Sequence, residues 1–209
     1  MAEKAGCIDA CLYYAGRGKF ENVKAARLAR TKLYLTNQAA YFNQLIKEII
    51  ALEKKAAKLG LKPLVRLNGT SDIRWENIHF VYNNVTYRNI FELFPNIQFM
   101  DYTKIPNRIN SMNGISKFPA NYDLTFSYSG KPGFEKYNQR AIDKGMRIAA
   151  VFDKVESIPL TFHKRQVLSG DDNDLTFTKP KNSILALYAK GFKKEIQLGL
   201  NSQFIIRGA

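Results

Sequence analysis

Apolar side chains recur at helical spacing between residues 42 and 59. The series is Phe42, Leu45, Ile46, Ile49, Leu52, Ala56 and Leu59, whose members fall on one face of a helix. Thr36 is of a type that caps helix N-termini, and Gly60 suits the position just past a helix C-terminus. The pattern predicts a helix over residues 37–59, preceded by a shorter one over residues 21–35.

Beyond residue 60, the helical spacing gives way to short apolar runs that are typical of buried strands. Strands are predicted at residues 63–67, 97–100, 124–128, 147–152, 167–168 and 184–188, and helices at 87–94 and 134–144. The segment 192–206 fits a strand or a loop. Strands that alternate with helices indicate a mainly parallel sheet. We expect an α/β fold: two N-terminal helices, then a partial or distorted (β/α) barrel of mainly parallel short strands, with an open doubly wound sheet as the alternative.

The length and composition are those of one globular domain. The chain has 209 residues, of which 45% are hydrophobic and 24% charged, and no Pro-, Gly- or Ser-rich linker divides it. We expect a single α/β domain over residues 1–209, with a helical part at 1–60 and βα units at 61–209. No apolar run approaches the ~18 residues that span a bilayer, and no secretory signal follows Met1. A cytoplasmic protein without membrane contact is expected.

The excess of positive charge favours an anionic partner. Lys and Arg number 32 against 18 Asp and Glu, which gives a net charge of +14. One cluster lies ahead of and within the first predicted helix, at Arg17, Lys19, Lys24, Arg27 and Arg30. We expect these residues to contact nucleic-acid phosphates, with a merely solvating surface as the alternative.

Polar side chains follow the predicted strands at the points where they end. They are Asn68, Ser71, Asp72, Tyr102, Lys104, Ser127, Ser129, Asp171, Asp172 and Asp174. Ligands of α/β sheets bind at the carboxyl ends of the strands. We therefore expect these residues to form a polar pocket for a phosphate, a divalent metal or a polar substrate, although the same residue types also form ordinary turns.

The two cysteines, Cys7 and Cys11, are spaced C-x3-C. On a helix this spacing puts both sulfur atoms on one face, where they can bind a metal. Two thiolates do not complete a four-ligand iron–sulfur site, and the alternative is a pair of small buried thiols.

Short motifs in collinear order resemble those of the bacteriophage "gene product 88" family. They are Cys7 to Cys11 with Tyr14-Ala15, Gly16-Arg17-Gly18, Phe20-Glu21-Asn22-Val23, Ala25-Ala26-Arg27, Val65 to Asp72, Pro95 to Phe99, Tyr102-Thr103-Lys104, Gly145 to Phe152, Val167 to Phe177 and Leu187 to Gly191. The resemblance spans nearly the whole chain. It implies a phage-encoded protein of the host-cell cytoplasm, and the family has no established biochemical activity.

The chain departs from the family pattern in two ways. Family members often carry a further cysteine-containing segment upstream, and we expect the loss of a first strand there to leave the barrel open. The C-x3-C motif is also similar to the C-x3-C-x2-C cluster loop of radical S-adenosylmethionine enzymes, with Tyr14 at the third cysteine position. The leading hypothesis is nucleic-acid binding; the alternatives are a degenerate radical-enzyme-like iron–sulfur protein and a phage protein that binds a host protein.

Overall fold

The fold begins with two consecutive helices, α1 (Glu21–Thr36) and α2 (Gln38–Lys58). The computed structural model describes residues 1–8, 16–108, 111–112, 115–116 and 118–207. Both helices agree with the sequence prediction to within two residues. Within those ranges, no helix combines the length and the apolar composition needed to cross a membrane.

Asn37, rather than the predicted Thr36, caps the start of α2. The Asn37 side chain accepts a hydrogen bond from the Ala40 N–H at 3.0 Å, whereas the Thr36 hydroxyl donates to the Lys32 carbonyl within α1. Gly60 ends the helix as predicted, with a φ of +65°. The N–H groups of Gly60 and Leu61 bond back to the carbonyls of Ala57 and Ala56, which is a Schellman turn.

Within the described residues, eleven strands and three further α-helices follow. The strands are β1 (Leu64–Val65), β2 (Phe80–Tyr82), β3 (Val85–Tyr87), β4 (Gln98–Thr103), β5 (Ser111–Met112), β6 (Ile115–Ser116), β7 (Tyr122–Ser127), β8 (Ile148–Phe152), β9 (Thr161–Phe162), β10 (Arg165–Ser169) and β11 (Ile184–Tyr188). The helices are α3 (Ile90–Leu93), α4 (Glu135–Asp143) and α5 (Lys193–Asn201). Short 3-10 helices occupy Gly16–Lys19, Trp75–Asn77, Val155–Ser157 and Thr176–Thr178.

A mostly parallel seven-stranded sheet organises these elements, in the order β1-β4-β7-β8-β11-β10-β9. Neighbours from β1 to β10 pair in parallel, and β9 pairs antiparallel with β10. The predicted α/β class is confirmed, but a barrel is not. Among the described strands, β1 and β9 are the two edges, and they do not pair with each other. The strand order also lacks the central reversal of a doubly wound sheet.

The sheet splits between β7 and β8 toward its carboxyl edge. Pairing of these strands is limited to Phe126 with Ile148 and Ser127 with Ala149. Farther along, Ile206 takes the place beside β8: its N–H donates to the Val151 carbonyl, and its carbonyl accepts from the Asp153 N–H at 2.9 Å. We call residues 202–206 the C-terminal segment. It fills the gap that the split leaves.

Three local features differ from the sequence prediction. The predicted helix over residues 87–94 is shortened to α3, because β2 and β3 form a hairpin whose turn residues, Asn83 and Asn84, both have positive φ. A second two-residue turn, at His163 and Lys164, joins β9 to β10. Segment 192–206, predicted as strand or loop, contains α5, and the Glu195 carboxylate accepts the Phe192 N–H at its start.

The core lies where α2 and the loops around β2 pack beside the sheet. Phe42, Ile46 and Ile49 are the buried face of α2, as the helical pattern predicted. Phe42 stacks on Phe80 at a centroid distance of 4.5 Å. Central strands are buried on both faces, since β4, β8 and β11 each contain three consecutive buried residues, as expected of a parallel sheet.

Gly130 lies against the C-terminal segment, so a substitution there tests how tightly the segment packs. A Cβ at Gly130 would lie 2.8 Å from the Gln203 carbonyl oxygen, whereas a Cβ at Gly69 would meet nothing within 4 Å. Gly130→Ala should therefore lower the free energy of unfolding by about 1–3 kcal/mol through overpacking. Gly69→Ala, the matched control, should change it by less than about 0.5 kcal/mol. Urea unfolding measures both, and equal stabilities would show that the segment is not tightly seated.

Candidate functional site

A cavity of about 390 Å³ opens at the carboxyl ends of the parallel strands. We call it the strand-end cavity. Side chains from the strand ends and from the loop after β10 line it, namely Arg66, Tyr102, Lys104, Ser127, Ala149, Val151, Asp171, Asp174 and Leu187. Helix α5 and the C-terminal segment close it with Glu195, Ile196, Phe204 and Ile205. Its position is that of ligand sites in α/β sheets.

Part of the predicted pocket set converges on this cavity. Tyr102, Lys104, Ser127, Asp171 and Asp174 all line it, and so does Cys7. Sequence reasoning missed Arg66, Lys190 and Glu195, which line it too. Arg66 directly follows β1, so the same strand-end argument would have found it. Lys190 follows β11, so the same argument applies to it, whereas Glu195 lies in α5, which the sequence did not predict.

Lys104 is the most buried charged group of the strand-end cavity, with 8% of its surface exposed. Its ammonium donates to the carbonyls of Ser127 and Tyr128 at 2.9 and 3.0 Å. It also lies 4.5 Å from the centre of the Phe204 ring. Burial lowers the pKa of Lys104 to about 8, against the opposing effects of Cys7 and Asp72. The lysine is therefore positively charged at neutral pH and loses its charge under mildly alkaline conditions.

Three other charged groups of the cavity, Lys190, Asp171 and Glu195, form ion pairs. Lys190 contacts Asp171 at 2.6 Å, and Lys19 contacts Glu195 at 2.7 Å. The hydrogen bond from Lys190 to Asp171 raises the pKa of Lys190. The Arg66 guanidinium lies over the Tyr102 ring at 4.9 Å. Lys104 differs from Lys190 because no carboxylate of the described residues lies within 4 Å of its ammonium.

The remaining predicted pocket residues lie elsewhere: Asn68, Ser71, Asp72, Ser129 and Asp172. Asn68 is buried and accepts hydrogen bonds from Ser71, the Ile73 N–H and the Trp75 indole. Ser129 is buried and donates to the Ala5 carbonyl at 2.6 Å. Asp172 accepts from the Ser169 hydroxyl, which lowers the Asp172 pKa. These side chains hold loops in place, because turn residues most often bond to the nearby backbone.

Arg108 ties the loop after β1 to the sheet. Its guanidinium, with a fully buried side chain, contacts Asp72 at 2.8 Å and Glu76 at 2.6 Å. It also donates to the Tyr122 hydroxyl, which in turn donates to Asp101 at 2.7 Å. We call these residues the Arg108 network. The sequence prediction missed it, since its members are far apart in the chain and only Asp72 carried a predicted role.

Asp101 is the buried end of the Arg108 network. Burial raises its pKa to about 6, although hydrogen bonds from Tyr122 and from the Asn68 N–H oppose the increase. Its two oxygens accept from Tyr122 and from the backbone and side-chain N–H groups of Asn68. Asp101 thereby fixes the start of the loop after β1. Both of its carboxylate oxygens are used in this structural role.

A second concavity lies between α1 and the loop after β1. We call it the arginine groove; it has a volume of about 850 Å³ and is lined by Arg27, Arg30, Arg66, Thr31, Tyr34, Tyr41, Gly69, Thr70, Ser71 and Trp75, among others. Trp75 is buried, and Tyr41 stacks nearly parallel to it at 6.1 Å. Tyr34 packs edge-on against both rings. Arg66 borders this groove and the strand-end cavity alike.

The predicted phosphate-binding residues separate into two groups. Arg27 and Arg30 line the arginine groove. Arg17, Lys19 and Lys24 do not. Lys19 is paired with Glu195 and lies over the Phe192 ring, Lys24 is paired with Glu21 at 2.8 Å, and Arg17 is exposed in the first 3-10 helix. The groove therefore contains two of the predicted residues, Arg27 and Arg30, together with Arg66, which was not predicted.

Of the two cysteines predicted to bind a metal, only Cys7 lies within the described residues. Cys7 lines the strand-end cavity, and its thiol donates to the Ala2 carbonyl at 3.5 Å. Cys11 lies outside the described residues. In the described part of the chain, no group of three or more His, Cys, Asp or Glu side chains is arranged to bind a metal.

Fold and site together define a mixed α/β protein with a mostly parallel open sheet and a cavity at its carboxyl edge. Residues 1–208 match the family model described as Gene product 88. The chain belongs to that family, as the sequence resemblance indicated. No curated protein and no solved structure matches it.

Removal of the Arg108 guanidinium should strongly destabilise the protein. Arg108→Met leaves two carboxylates without their cation, so the free energy of unfolding should fall by about 3–5 kcal/mol. Arg88→Met is the matched control, because Arg88 makes an exposed pair with Glu92, and it should cost less than about 1 kcal/mol. Chemical denaturation measures both losses. Similar small losses would mean that the network contributes little.

Proposed function

We propose that the protein binds single-stranded nucleic acid in the arginine groove. The observation that carries this proposal is the convergence of Arg27, Arg30 and Arg66 on one concave surface that aromatic rings also line. Single-stranded nucleic acid is bound by such combinations, in which cations follow the phosphates and rings receive bases.

The absence of ion pairs at Arg30 and Arg66 among the described residues supports the proposal. In the part of the chain that the structure describes, no carboxylate lies within 4 Å of the Arg30 or Arg66 guanidinium. Both side chains are exposed. Their charges are therefore available to phosphates, in contrast to those of Lys19 and Lys24. The net charge of +14 adds a long-range attraction for any polyanion.

The aromatic wall favours a single strand over a duplex. Tyr34 and Tyr41 are half-buried, so part of each ring faces solvent at the groove. Thr31, Thr70 and Ser71 add hydroxyls beside them. Unpaired bases can stack on such rings, whereas the bases of a duplex are already stacked on one another.

Titration with a fluorescent oligothymidine tests the proposal. In Arg27→Gln/Arg30→Gln/Arg66→Gln, the affinity should fall, and the slope of log K against log salt should shrink by about 2, at about 0.7 per lost phosphate contact. The matched control is Lys54→Gln/Lys55→Gln/Lys58→Gln, which removes the same charge from exposed positions near the far end of α2. Its salt slope should stay close to that of the wild type.

Three outcomes would count against the proposal. Equal losses in the two triple variants would mean that net charge alone drives binding. Duplex DNA that binds as tightly as the oligothymidine would contradict the single-strand assignment. No binding by the wild type would overturn the nucleic-acid proposal and turn attention to a host protein as the partner. Trp75, the sole tryptophan, reports occupancy of the groove by its fluorescence.

A further inference from the structure

We infer that the strand-end cavity is a binding site for a small organic anion, a molecule with an acidic head group on an apolar body, whose head group pairs with Lys104. This site shares Arg66 with the arginine groove, but the inference does not depend on nucleic-acid binding. Three observations carry the inference: the buried ammonium, the apolar residues that line the cavity with it, and the pairing of Asp171 and Glu195 with other lysines.

The Lys104 ammonium can donate one more hydrogen bond than its described partners accept. An ammonium carries three N–H donors, and the carbonyls of Ser127 and Tyr128 take two of them. In the described ranges, the third donor has no hydrogen-bond partner. A buried charge is costly unless an opposite charge and hydrogen bonds compensate it. A carboxylate, sulfonate or phosphate group in the cavity would supply both.

The rest of the cavity suits an apolar body. Ala149, Val151, Leu187, Ile196, Phe204 and Ile205 form much of its wall. Sites for small molecules are typically apolar pockets of a few hundred cubic ångströms with a few polar groups that fix the orientation of the ligand. At about 390 Å³, the cavity is of this size.

The other charged groups at the cavity do not replace such a ligand. Asp171 and Glu195 are paired with Lys190 and Lys19. Asp174 is exposed at the opening, and Asp72 is engaged by Arg108 and by the Lys104 N–H rather than by its ammonium. Arg66 adds a second positive charge to the wall. Cys7 and Asp72 raise the pKa of Lys104 against the larger effect of burial.

The probe is 8-anilinonaphthalene-1-sulfonate, an anion with an aromatic body and a sulfonate that stays ionised throughout the titration. Its fluorescence measures binding to the full chain at pH 7. Lys104→Met removes the charge but keeps an unbranched apolar side chain, and it should weaken binding at least about tenfold, as expected for the loss of a buried charged hydrogen bond. Lys190→Met, at the same cavity but in a paired position, should weaken it less than about threefold.

A background variant and a pH series complete the test. Arg27→Gln/Arg30→Gln removes cations of the arginine groove, so that probe bound there does not mask the cavity. In the wild type, affinity should fall as the pH rises above about 8, since Lys104 then loses its proton, and in Lys104→Met this fall should be absent. Equal losses in the two lysine variants, or wild-type binding that is independent of pH, would overturn the inference. If Lys104→Met does not fold, the wild-type pH series decides.

Discussion

The rest of the site depends on the ion pairs and hydrogen bonds of the Arg108 guanidinium. This guanidinium joins Asp72 and Glu76, from the loop after β1, to Tyr122 on β7. The loop that it anchors borders the arginine groove, and Asp72 also receives the Lys104 N–H at the edge of the strand-end cavity. A planar cation with several fixed donors is suited to this task, because it can bond several acceptors at once. One buried residue thus positions both candidate binding surfaces.

Much of the fold follows from local patterns in the sequence, and the exceptions have physical causes. The apolar stripe of α2 and the continuous apolar runs of β8 and β11 predict those elements, since their burial is periodic or complete. The hairpin turns at Asn83 and His163 depend on left-handed backbone conformations, for which the Asn pair was an available signal. Helix α5 was missed because Ile196, Leu198 and Leu200 alternate as in a strand. The gap between β7 and β8 is filled by the distant pairing of Ile206, which no local pattern encodes.

The candidate site was predictable in position but not in detail. Strand ends place Tyr102, Lys104, Ser127, Asp171 and Asp174 at one cavity, as the parallel arrangement requires. The same rule also selected Asn68 and Ser129, whose polar groups are used within the fold. Residue type alone cannot separate the two roles, because an amide or hydroxyl serves a buried loop as well as a ligand. The distinction depends on partners such as Trp75 and Ala5, which are distant or belong to another element.

Arg66 is shared by the arginine groove and the strand-end cavity. One guanidinium carries one positive charge, so anions that approach it from the two sides oppose each other. Thermodynamic linkage makes this opposition reciprocal: whatever free energy a cavity ligand removes from binding in the groove, a groove ligand removes from binding in the cavity. Under the two binding proposals made above, the concentration of a small acid would therefore set how readily the groove holds a polyanion.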